Sequence, residues 1–359
     1  MPETAIETRP AAASADVVRA RGVSPAWAVA AVAFLVVSIV VGVLAGPLHI
    51  GVGDAVQSLL ARLGLTDTTP LGVTEESILW DLRVPRVVLA ALVGGMLALA
   101  GATYQGVFHN PLADPYLLGV AAGAGLGATM AISYLPRVLA GQQLLPVAAF
   151  VGGAAAVVVT WVISRSAGRE RDATTFVLAG VVVASFFTAV QTFVQQQNSD
   201  TLQEVYSWIL GALPSSGWSD VGILAPYVIV ASVVILAHRR VLDVLSLGDV
   251  EAASLGIDVG RVRLLLVVAA TVGTAAAVAV SGLIAFVGII VPHTIRMLAG
   301  TSYRGLLPLS FVVGAGFLVL CDVIARTVLS PAELPIGVVT AFFGAPFFAI
   351  ALRTMRGRA

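Results

Sequence analysis

Long apolar runs separated by short polar breaks fill this chain from residue 26 onward. The first, AWAVAAVAFLVVSIVVGVLAG, carries no charge over about twenty residues, the length an α-helix needs to cross the hydrocarbon core of a bilayer. Ten such spans are expected, at approximately 26–46, 83–106, 115–136, 143–164, 174–197, 221–238, 263–281, 283–299, 305–327 and 334–352. The seventh and eighth touch at SGLIAFVG, the weakest division among them. The first run is too long for the core of a signal peptide and reads as a retained span. Ahead of it, residues 1–24 are rich in Ala, Arg and Glu with Pro2 and Pro10, the composition of a disordered tail. Residues 25–359 are left as one transmembrane domain, and the expected class is an all-α integral membrane protein.

Glycine follows the spans, with GVAAGAGLGA in the third and GVVVAS in the fifth. Such small faces let helix backbones approach where lipid supplies no hydrophobic drive. Two stretches, Gly101 to Pro111 and Gly282 to Pro292, run ten positions from a glycine to a proline. They start on opposite sides of the membrane, the pattern of an inverted repeat.

Composition agrees with the patterning. Of 359 residues, 58% are hydrophobic and 11% charged, far from the roughly 25% charged of soluble domains. A formal net charge of zero and the absence of any basic block give no footing for nucleic acid. The single cysteine, Cys321, excludes an intrachain disulfide, and its apolar surroundings make it a packing residue. His49, His109, His238 and His293 are scattered without metal-ligand spacing.

All 20 basic residues are arginine, and there is no lysine. The glycine-rich loop that grips nucleotide phosphates needs a lysine on the β and γ phosphates. That nucleotide site and Schiff-base chemistry are therefore excluded from this chain. Arginine also sets the orientation. With the N-terminus inside and the spans alternating, fifteen arginines fall on the cytoplasmic side against five outside, Arg62, Arg83, Arg86, Arg137 and Arg326. That satisfies the positive-inside rule and puts both termini in the cytoplasm.

Charge and polarity inside the spans are costly and mark candidate sites. RVPR places Arg83 and Arg86 on one helical face at the outer start of the second span, as lipid-headgroup anchors or as a site. CDVIART sets Asp322 and Arg326 four apart, the spacing of an internal ion pair, with Arg326 near enough to the outer end to look outward. Thr188, Gln191 and Gln195 form a stripe on the fifth span with Thr192 beside it, which either hydrogen-bonds a neighbouring helix or, the favoured reading, lines a wet cavity. HNPLADP, residues 109–115, breaks the chain between the second and third spans. Its prolines stop a helix and Asn110 and Asp114 form turns, so it is either a tight turn or a constriction at the inner mouth.

One polar island lies between long apolar runs: SLGDVEAASLGIDVGR, with Asp249, Glu251, Asp258 and Arg261 inside sixteen residues. Asp249 suits an N-cap, Glu251 the first turn and Gly256 the residue just past the helix end. The result is a helix of about two turns, too short to stand alone in water. It is either a surface connector or a docking element.

ILWDLRVPR, AGATYQGVFHNPLADPYLLGV, SLGDVEAASLGI, GLIAFVGIIVPHTIR and AELPIGVVTAFFGAPFF occur in that order over residues 30–352. Together they resemble the FecCD-like permeases of ATP-binding-cassette (ABC) importers for iron siderophores, haem and cobalamin. The resemblance implies the ten-span type II importer permease fold in a bacterial cytoplasmic membrane. It implies a partner permease, either a second copy of this chain or a sister permease, two cytoplasmic ATPase subunits that hold ATP and Mg²⁺ and do the hydrolysis, an external substrate-binding protein, and no cofactor or enzymatic activity in this chain.

By position, Arg83, Arg86 and Arg326 match arginines that pair with acidic residues of the binding protein. Asp249, Glu251, Ser254, Leu255 and Gly256 match the helix docked in the ATPase. Asn110 and Leu112 match one cytoplasmic gate, Thr174 and Thr175 the other more loosely, and Thr188, Gln191, Thr192 and Gln195 lie on the helix lining the path. A ferric siderophore is the first expected cargo, with haem or cobalamin next. Alternating access would be driven by the ATPases. Two rivals stay open: an ion-coupled secondary transporter, for which Asp322 is the one clear mid-membrane carboxylate, and a non-transporting scaffold or receptor.

Overall fold

The structure is a computed structural model that describes residues 24–46, 48, 50–66, 68–135, 144–166, 173–213 and 217–356. Nearly all of the expected tail lies outside these residues. Among the described residues the chain is helical throughout, with no strand. In order the helices are α1 (Pro25–Leu44), α2 (Val52–Arg62), α3 (Val73–Ser77), α4 (Val84–Val107), α5 (Val120–Tyr134), α6 (Leu144–Ser166), α7 (Ala173–Gln197) and α8 (Leu202–Ile209). There follow α9 (Trp218–Ala237), α10 (Arg239–Leu245), α11 (Asp249–Ser254), α12 (Val259–Ser281), α13 (Val287–Ala299), α14 (Tyr303–Thr327) and α15 (Ile336–Arg356). A π-helical turn, Ile78–Arg83, joins α3 to α4.

Seven of these elements are long and apolar enough to cross a membrane, and α5, α13 and α15 are shorter apolar helices. These ten correspond one by one to the ten expected spans. Their centre is α4, in which every residue from Val93 to Val107 is buried. A helix apolar on all sides must be enclosed by others, and α14, α12, α13 and α9 enclose this one.

Glycine decides how closely they approach. A Cβ on Gly101 would overlap the backbone of Gly288 in α13, and one on Gly94 would strike the Gly314 carbonyl in α14. Gly123 of α5 meets Gly152 of α6 in the same way. With no hydrophobic drive between helices in lipid, such backbone contact supplies the packing energy.

Helix α14 runs antiparallel to α4. Arg86 lies opposite Asp322, Gly94 opposite Gly314 and Gly106 against the Tyr303 ring. The bundle therefore has an arginine end, where α4 starts and α14 stops, and a loop end, where α4 stops and α14 starts.

Three boundaries differ from the sequence reading. The third span starts at Val120, not 115, because residues 110–119 are turns closed by Gly119 at φ 80°. The eighth starts at Val287, because Gly282 and Phe286 both take positive φ and break the helix between them. In the polar island the N-cap is Gly248 rather than Asp249, which occupies the first helical position. Gly256 does follow the end of α11 in a left-handed conformation, at φ 83°. The helices α2, α3, α8 and α10 were hidden from a search for long apolar runs, since each has 11 residues or fewer.

Candidate functional sites at the two ends of the bundle

The arginine end holds a built charge network. Arg86 donates from Nε to Asp322 Oδ1 at 3.0 Å, and from both Nη atoms to the two oxygens of Glu333 at 2.9 Å each. Arg326 meets the other oxygen of Asp322 at 3.3 Å, the ion pair its four-residue spacing suggested. It also donates to the Gly42 carbonyl of α1.

Arg83 donates to three carbonyls, those of Val43, Leu44 and Leu48, where α1 ends. These partners correct the picture of three outward-facing arginines. Arg83 and Arg326 are 6% and 7% exposed and fold inward. A buried guanidinium needs its donors satisfied, and the frayed end of α1 offers unpaired carbonyls. Three guanidiniums face two carboxylates here, so one positive charge is in excess. The loop residue Glu333 is the exposed member, and Arg86 holds its carboxyl below the usual range.

At the loop end, HNPLADP folds as two side-chain-capped turns. Asn110 Oδ1 accepts the Leu112 N–H at 2.9 Å and Asp114 Oδ1 the Tyr116 N–H at 2.8 Å. Gln105 ties the loop to its neighbours. Its amide donates to the Ala113 and Gly288 carbonyls, and its oxygen accepts from Arg296. Phe108, just before the Asn110 and Leu112 turn, packs on Phe176 near the start of α7 at 6.3 Å between ring centres. The side chain of Thr174 lies outside the described residues.

The fifth-span stripe divides. Gln191 is buried within the chain, its amide against Gly125 of α5, so it packs between helices. Thr188 and Thr192 are exposed, Thr192 donating to the Thr188 carbonyl, and Gln195 is half-buried. On the same helix Leu178, Val182, Phe186 and Phe193 are exposed as well. A face this apolar is expected to be covered by lipid or another helix.

The short helix α11 is pinned from beneath and bare above. Ala252 is fully buried and Asp249 pairs with Arg263 of α12 at 2.8 Å. Glu251 and Ser254 are exposed, Ser254 donating to the Glu251 carbonyl. Leu247, Val250 and Leu255 are 67%, 79% and 66% exposed. Large apolar side chains that far into water, on and beside a helix of six residues, form a contact surface with no partner among the described residues.

The preceding helix is fixed to α14, since Asp243 accepts from Ser302 Oγ and the Tyr303 N–H. Among the described residues no cluster of His, Cys, Asp and Glu could hold a metal. Glu333 and His109 were missed in the sequence. The available signal for Glu333 was a lone carboxylate in the loop after an arginine-bearing span. His109 had none beyond its place after a helix end.

Comparison with known proteins gives a consistent result. The sequence profile of the FecCD transport family matches residues 34–354. The uncharacterized ABC transporter permease protein YvrB of Bacillus subtilis is 39% identical, covering 90% of this chain and 92% of its own. The cobalamin import system permease protein BtuC of Halobacterium salinarum is 42% identical, covering 80% and 76%. A solved structure presented as an inward-facing conformation of an ABC transporter of metal-chelate type superposes with a TM-score of 0.80 at 28% identity, over 92% of this chain and all of that one.

Proposed function

This chain belongs to the FecCD transport family of ABC importer permeases, and we propose that it carries a ferric siderophore across the cytoplasmic membrane by alternating access. Its termini lie in the cytoplasm, so the loop end faces inward and the arginine end outward. It works as a homodimer with two ATPase subunits at the loop end and a substrate-binding protein at the arginine end. Cofactor and chemistry belong to the ATPases, which hold ATP and Mg²⁺. The permease makes and breaks no bond.

The observation that carries this reading is α11. Its single buried anchor and its exposed Val250 and Leu255 suit a helix seated in another protein's groove. A chain without lysine needs such a partner, because it lacks the phosphate-gripping residue of the nucleotide loop. Closure of the ATPases on ATP would move α11, and a partner can shift the two states only by binding them unequally.

Asn110, Leu112, Thr174 and Thr175 serve as the cytoplasmic gate, and the exposed face of α7 with Thr188, Thr192 and Gln195 borders the path between the two copies. Arg86, with the excess positive charge behind it, is the docking point for an acidic lobe of the binding protein. Arg83 and Arg326 support it from within.

The 42% identity to a permease named for cobalamin import favours a corrinoid as the second cargo. Uptake of ferric siderophore and of labelled cobalamin, in cells whose own permeases are deleted, tests both. ATP-dependent accumulation of ferric siderophore that survives a protonophore supports the proposal. Corrinoid uptake alone would replace the cargo, and protonophore-sensitive uptake would favour an ion-coupled carrier.

A further inference from the structure

Helix α4 ends in a turn that normally needs glycine. The Phe108 N–H bonds to the Tyr104 carbonyl and the Asn110 N–H to the Gln105 carbonyl, the six-to-one closure of a Schellman motif. The residue between them takes the left-handed conformation, and here it is His109 at φ 49°. A Cβ in that region crowds the following carbonyl, so an L residue there is held against its own preference. Among the described residues only Phe286 shares that condition without being glycine.

The imidazole has a specific partner. Its Nε2 lies 2.6 Å from the carbonyl oxygen of Leu245, 136 positions away. A carbonyl only accepts, so Nε2 carries the proton. Leu245 is the last residue of α10, and its carbonyl also accepts the Gly248 N–H at 3.1 Å. Gly248 is the N-cap of α11. One carbonyl oxygen therefore joins the entrance of α11 to the first residue of the loop that carries Asn110 and Leu112.

We propose that His109 is a positioning residue that links the α10–α11 hairpin to the 110–115 loop, so that displacement of α11 moves the gate. The inference rests on the reading of α11 as the ATPase docking helix and adds the route by which its motion reaches the gate. Without the ring, α10 still packs on α4, but the hydrogen bonds of hairpin and loop lead to other helices, α10 to α14 by Asp243 and the loop to α13 by Gln105. The turn itself would be satisfied better by glycine. A residue strained in place and bonded to a distant backbone is what a mechanical tie requires.

The test uses the assembled importer, permease with its ATPase, in nanodiscs. Cys321→Ser removes the native thiol, and Leu112→Cys reports the gate through its rate of labelling by a membrane-impermeant maleimide. With His109 present, ATP plus vanadate changes that rate. His109→Gly frees the turn and deletes the tie. It is expected to keep ATP hydrolysis and thermal stability while reducing the ATP-dependent change in labelling at least fivefold. His109→Gln, which keeps an N–H donor at similar reach, restores most of the response.

A full response in the His109→Gly variant overturns the tie and leaves the docking reading intact. A response lost only together with ATPase binding also overturns it. No response in the parent protein, with ATPase bound and hydrolysing, overturns both.

Discussion

Arg86 and Asp322, 236 positions apart in sequence, close the arginine end of the bundle by locking the start of α4 to the end of α14 at 2.9–3.0 Å. Asp322 is 1% exposed, so its partners' charges depend on it. Removing one member of a buried pair leaves an uncompensated charge, at a cost of roughly 3–5 kcal/mol. Asp322→Asn is expected to destabilise the detergent-solubilised protein by about that amount in thermal unfolding. Arg86→Met and Arg326→Met with Asp322→Leu, which removes all three buried charges together, should recover most of the loss, and recovery below half would show that the network does more than balance charge.

Glu333 occupies two donors of Arg86 that an acidic partner would need. Replacing it by Gln should raise the affinity of the external binding protein several-fold at low salt, where such pairing acts most strongly. Reversing Arg83 is a poor test of docking. A carboxylate there would face the three carbonyls of Val43, Leu44 and Leu48 and unfold the end of α1. Reduced binding by Glu333→Gln, measured on nanodiscs, would count against Arg86 as the docking point.

The loop at the other end carries a pH dependence. Burial pushes the Asp114 carboxyl up to about 6, against the Tyr116 N–H that pulls it down, although part of the side chain still reaches solvent. A carboxyl raised above its unfolded value, about 3.9, binds protons more readily when folded. Folding is therefore penalised above pH 6, and the penalty disappears as pH falls from about 6 to about 4. Thermal stability should rise on acidification through that window, by an increment that Asp114→Asn abolishes. An unchanged increment in the variant would place the titrating group elsewhere.

Backbone contact through glycine predicts a sharp contrast between two positions. A Cβ on Gly101 meets the Gly288 backbone, whereas one on Gly222 in α9 meets nothing within 4 Å. Gly101→Ala should cost about 1–3 kcal/mol or more, the range for overpacked sites. Gly222→Ala should be neutral or stabilising by up to about 1 kcal/mol. Similar melting temperatures for the two variants would contradict the close α4–α13 contact.

The hydrophobic pattern was sufficient for the ten spans, because a bilayer imposes a length that few other environments do. It was silent on which face each span shows. Gln191 and Thr188 share a helical stripe, yet one packs on Gly125 and the other is exposed, a division set by a glycine on another helix. The arginines were visible as charges, but not the carbonyls at the end of α1 that draw Arg83 inward. The short helix at 249–254 was legible from its acidic first turn and from Gly256. The ties that hold it, Arg263 to Asp249 and His109 to Leu245, join residues whose proximity only the fold creates.

Everything proposed for transport passes through α11, and one binding measurement addresses it directly. Val250 and Leu255 are exposed, while Ala252 and the Asp249–Arg263 pair hold the helix from beneath. Val250→Asp with Leu255→Asp should therefore leave the melting temperature of the permease unchanged. Burying two such side chains in a partner would contribute about 1.5–3 kcal/mol each. The affinity of the partner ATPase for nanodisc-embedded permease is thus predicted to fall at least about tenfold in the double variant. Unchanged affinity, with the parent complex formed under the same conditions, would contradict the account.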